Sequence, residues 1–128
     1  MVQYVRFNYL YRDAGNYKSW GELVFPNPEN LDIKEIDAQL RKCFEREAFF
    51  IADQVDVPNV FIFATENLNS DDHCYHEYAE VESIVSLESE VENRTIKEFL
   101  NQVRMASEHG WIAFNLLDRI EQIRSNAS

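Results

Sequence analysis

Basic residues, glycine, proline and cysteine are all scarce in this chain, and each shortage excludes something. Its 128 residues include three Gly, three Pro and two Cys. So few breakers of regular structure exclude a linker-rich or low-complexity protein. Two cysteines cannot build a disulfide framework, and a chain of this length can bury enough surface to need neither such a framework nor a structural metal. Long apolar runs are missing as well: the longest are four or five residues, as at Phe49–Ala52 and Val60–Ala64, against the roughly 20 that a membrane-spanning helix requires. The opening Met1-Val2-Gln3-Tyr4-Val5-Arg6 has none of the basic, apolar and small-residue order of a secretory signal. A cytoplasmic protein of one domain, residues 1–128, is the expectation, with Cys43 and Cys74 as separate thiols and no membrane contact.

Positive charge is the most consequential shortage. Twelve Lys and Arg stand against 23 Asp and Glu, a formal net charge of −11. Phosphate binding rewards cationic surface, so duplex nucleic acid is excluded as a direct partner. The acid is also concentrated: from Glu66 to Glu92 there are nine acidic residues and neither Lys nor Arg. Such a stretch either keeps the protein soluble or docks a basic partner.

Periodicity supplies the fold. Residues 2–12 alternate, with Val5, Phe7, Tyr9 and Tyr11 on one face and Arg6, Asn8, Leu10 and Arg12 on the other, which predicts a strand. Asp13-Ala14-Gly15-Asn16 has turn chemistry and residues 18–25 resume a β-favouring run, so an N-terminal hairpin is predicted, ended by Pro26 and Pro28. Asp32 with Glu35 opens a helix over 33–48, whose apolar stripe is Ile33, Ile36, Leu40, Cys43 and Phe44. Two strands are predicted at 49–57 and 60–64, and a third, edge-like, at 75–85. In that third strand Ala79, Val81, Ser83 and Val85 would share one face, opposite Tyr78, Glu80, Glu82 and Ile84. Thr95 with Glu98 is a capping box that starts a second helix ending near Gly110, and a third helix is expected over 111–123. The order ββαββ(β)αα describes an α+β fold: a mainly antiparallel sheet beginning with a β-hairpin, its helices packed on one face.

Two segments have the residue types of a site. Asp71-Asp72-His73-Cys74-Tyr75-His76-Glu77 crowds potential metal ligands together. Alternation along a strand would send them to opposite faces, however, and no second ligand segment accompanies them, so neither a metal nor another cofactor is expected. Acidic neighbours raise a thiol's pKa, which argues against Cys74 as a nucleophile. No nucleotide-binding, hydrolase or metalloprotease motif occurs. The second segment, residues 9–20, gathers Tyr11, Arg12, Asp13, Asn16, Tyr17, Lys18 and Trp20. Aromatic and guanidinium planes of this kind can hold a small ligand or a nucleotide by stacking.

Three functions remain. The leading one is a non-enzymatic interaction protein of inhibitor, antitoxin or immunity type, binding a basic protein through Glu77, Glu80, Glu82, Glu88 and Glu90. The second is a small-ligand or nucleotide-binding module using the aromatic hairpin. The third is an enzyme using Asp or Glu with His73 or His76. Homo-oligomerisation is left open by the sequence.

Overall fold

Alternating aromatic and β-branched residues do form the first strand. The computed structural model of the chain describes residues 3–64, 68, 72–85 and 90–127. Strand β1 (Tyr4–Arg12) turns through Asp13–Tyr17 into β2 (Lys18–Pro26), and the two pair antiparallel from Tyr4↔Pro26 to Arg12↔Lys18. Asn16 takes the positive φ of the turn, at 67°, a conformation that asparagine tolerates. Helix α1 (Ile33–Cys43) is capped by the Asp32 side chain, which accepts from the Glu35 N–H, and it ends at Phe44. The predicted extension to 48 fails because Arg46 and Glu47 both have positive φ, at 50° and 65°. They fold back into a tight turn closed by paired hydrogen bonds between Glu45 and Phe49, at 2.8 and 2.9 Å.

The predicted strands 49–57 and 60–64 are replaced by a two-residue β3 (Phe49–Phe50) and two 3-10 turns, Ala52–Val55 and Ile62–Ala64. Their apolar residues are nevertheless buried: Val55 and Phe63 are fully enclosed. Burial was the requirement that the sequence expressed, and short helical turns meet it as well as strands do. Strand β4 (His76–Ile84) closes the sheet in the order β2-β1-β4-β3. Helix α2 (Ile96–His109) has the full Thr95–Glu98 capping box and ends at Gly110. The last helix, α3 (Leu116–Ala127), begins later than predicted because the Asn115 side chain accepts from the Leu117 N–H at 2.9 Å, an N-terminal capping bond.

All three helices pack on the same side of the sheet. Val5, Phe7, Tyr9 and Phe25 meet Ile36 and Leu40 of α1 and Phe99, Leu100 and Val103 of α2. Tyr11, on the same face of β1, meets Phe61, Phe63 and Ile123 of α3. Arg94 ties this layer together: it donates to the Val55 and Asp56 carbonyls at 2.7 Å and lies over the Phe25 and Phe99 rings. Cys43 and Cys74 are free thiols, Cys74 buried. Among the described residues no helix is long and apolar enough to cross a membrane.

Candidate functional site

With every described helix on one side, the other face of β2, β1 and β4 has no helix above it among the described residues. A β-bulge decides what that face displays. The pairing of β1 with β4 steps from Asn8↔Glu80 to Tyr9↔Tyr78, so Ala79 has no partner of its own. Without this extra residue's shift, Glu77 and Glu80 would point to opposite sides. With it, Glu77, Glu80 and Glu82 all share the helix-free face, while His76, Tyr78 and Val81 are buried on the other. The predicted division of this strand is therefore corrected: Tyr78 belongs to the core, together with Val81. Cross-strand pairing adds Glu22 opposite Asn8.

The acids are partly neutralised where they stand. Arg6 lies 2.9 Å from Glu22 and 2.8 Å from Glu82, and Asn8 also donates to Glu82 at 3.1 Å. These hydrogen bonds, from Asn8 first and Arg6 second, hold the Glu82 carboxyl below its usual range. Arg12 donates to both Glu77 carboxylate oxygens at 3.2 Å and to Asn16 at 2.7 Å. Glu80 is exposed on this face, and Glu90 is exposed further along the chain. Glu88 lies outside the described residues.

The aromatic hairpin is divided between core and surface. Tyr11 is fully buried, which corrects its place among ligand-contacting residues. Its hydroxyl donates to Asp72 at 2.6 Å and accepts from the His73 N–H at 3.1 Å. Burial first, and the Asp72 carboxylate second, push its pKa up. Asp13 is occupied in the turn, accepting from the Tyr17 N–H at 2.9 Å. Arg12 and Asn16 are bonded as above. What stays open is Lys18, Tyr17 at 73% exposure and Trp20 at 60%.

The two unusual segments of the sequence thus meet at one end of the sheet. His73 donates from Nε2 to the Arg12 carbonyl at 2.6 Å, and its Nδ1 accepts from the Tyr75 N–H at 3.1 Å. Both ring nitrogens are committed, one to the Arg12 carbonyl and one to the Tyr75 N–H. His76 faces inward, with no exposed surface, and its Nε2 accepts from the Val60 N–H at 2.9 Å. Burial drives its pKa down to about 3. The two imidazoles have separate structural tasks, one orienting the loop and one closing the core.

Sequence reasoning missed the far side of this end. Pairing runs Trp20↔Leu10, Leu10↔Glu77 and Glu77↔Phe49, a single row across all four strands on the helix-free face. Leu10, in the middle of it, is only 1% exposed. At the Phe49 end lies a groove of about 340 Å3, lined by Glu45, Arg46, Phe49, His73 and Tyr75. No local signal announced it, because the turn that builds it contains neither Gly nor Asn. Comparison with protein-family models, with curated proteins and with solved structures finds no match to this chain.

Proposed function

We propose that the chain is a non-enzymatic cytoplasmic interaction protein, of the inhibitor or immunity kind, whose helix-free sheet face docks a basic protein partner. The observation that supports this reading is the bulge at Ala79, which gathers Glu77, Glu80 and Glu82 beside Glu22 and the exposed Trp20 on the sheet face opposite the described helices. A large amphipathic ring among carboxylates is the composition of an interface core with a charged surround. Arg6 and Arg12 fix the geometry of the carboxylates, and the chain's charge of −11 steers a cationic partner toward them. The enzyme reading loses support, since His73 and His76 are both held in structural hydrogen bonds.

Copurification from its own cells should retain a basic protein. Replacing Glu22, Glu80 and Glu82 together by Gln should leave the fold intact and slow association with that protein, most of all at low salt, where the Debye length is about 30 Å instead of 10 Å. An association rate and salt dependence that do not change in this variant would refute the reading.

A further inference from the structure

The groove at the Phe49 end of the cross-sheet row has chemistry of its own. Phe49, His73 and Tyr75 give it an aromatic lining, and the His73 and Tyr75 rings stand 6.5 Å apart. The His73 ring is held in place by hydrogen bonds with the Arg12 carbonyl and the Tyr75 N–H. Glu45 supplies an anion at its rim, and the backbone that carries it is held by two hydrogen bonds with Phe49. Burial first, and the negative charge of Glu45 second, raise the Tyr75 pKa. An aromatic lining beside a carboxylate is the arrangement that holds a guanidinium or ammonium group.

We infer that this groove is a receptor for an arginine side chain of the basic partner, with the guanidinium lying against Phe49 and Tyr75 and paired to Glu45. The inference rests on the docking-face reading and gives that face its anchor. A planar guanidinium is preferred over a compact ammonium because it stacks on rings while it pairs with a carboxylate. Arg46 also lines the groove and has the same charge as the guest, so it opposes binding there. An anionic guest would depend on Arg46 instead, and the two cases predict opposite effects of removing it.

The test is an amide-shift titration by NMR of the full chain, with N-acetyl-arginine amide as the probe and N-acetyl-citrulline amide as its uncharged counterpart. The arginine probe should move the Phe49, His73 and Tyr75 amides saturably, and the citrulline probe should not. Glu45→Gln should weaken the arginine probe about fivefold, and Arg46→Ala should tighten it by about twofold. Equal binding of citrulline, no effect of Glu45→Gln, or the same amides moved by inorganic phosphate and lost in Arg46→Ala would each overturn the arginine site. A second titration, with octa-arginine peptide, separates this from the wider reading. If octa-arginine binding falls in the Glu22, Glu80 and Glu82 variant while Glu45→Gln changes nothing, the groove falls and the docking face stands. If the arginine probe behaves as expected while octa-arginine leaves the amides of β1, β2 and β4 unmoved, the docking face falls and the groove stands.

Discussion

His76 brings a titratable ring into the aromatic core. It sits within about 6 Å of Tyr9, Tyr11, Phe50 and Phe61, ring centre to ring centre, and its Nδ1 has no hydrogen-bond partner. With a folded pKa of about 3 against roughly 6.5 when unfolded, the unfolded chain binds a proton over this window and the folded chain does not. Stability therefore rises with pH from 3 to 6.5, is level above it, and falls as pH drops through it. Between pH 6.5 and 5, above the carboxylate range, His76 should cost about 1.4 kcal/mol per pH unit, measured as the shift in urea midpoint; His76→Gln, which keeps an acceptor for Val60, should remove that slope. Gly21 is a second residue with a forced identity. A Cβ there would stand 2.5 Å from the Tyr9 ring, and Tyr9 cannot move aside because its hydroxyl donates to the Pro58 carbonyl at 2.7 Å. Gly21→Ala should destabilise by about 1–3 kcal/mol, read from thermal unfolding, and a melting temperature equal to the parent's would show the ring to be free. Of these residues only the alternation of β1 was legible in the sequence. That Tyr11 would be core and Tyr17 surface depended on where the turn fell and on what Asp72 and His73 brought to it, sixty positions away.

The elements that local chemistry specifies are those the sequence showed clearly. β1, β2, the start of α1 and the whole of α2 carry their own signals: strict alternation, an Asp32 cap, the Thr95–Glu98 box and Gly110. Three features that position the candidate site had no such signal. The bulge at Ala79 is a property of pairing between distant strands, and β3 is a two-residue strand defined only by its pairing with Glu77 and His76 of β4. The Arg46–Glu47 turn uses residues that disfavour positive φ, so propensity argued for a continuing helix. Each residue held there costs roughly 1–2 kcal/mol. Glu47→Gly should relieve that strain more than it loosens the unfolded chain, for a net gain of about 0.5–1 kcal/mol in urea denaturation. A loss of stability would mean that the Glu47 side chain makes contacts that outweigh its backbone strain.

For the molecule as a whole, charge and topology pull in different directions. An excess of acid at −11 repels itself within the folded volume, and salt screens that repulsion. The thermal midpoint should rise by a few degrees between about 0.01 M and 0.15 M NaCl, as the Debye length falls from 30 to 8 Å; a midpoint that falls would show that the Arg6 and Arg12 ion pairs outweigh the repulsion. Topology adds a matter of timing. β1 lies in the middle of the sheet, yet its two neighbours are far apart in the chain: β2 follows at once, whereas β4 starts at His76. At about 5–20 residues per second during synthesis, the stretch from Asn27 to Tyr75 emerges over several seconds. Through that interval the hairpin waits with one long edge of β1 unpaired, the kind of edge along which nascent chains stick to one another. Arg12 is on that edge, and its carboxylate partner Glu77 is among the last parts of the sheet to arrive. Until then it is an uncompensated cation, and two waiting hairpins that met edge to edge would bring two such cations together.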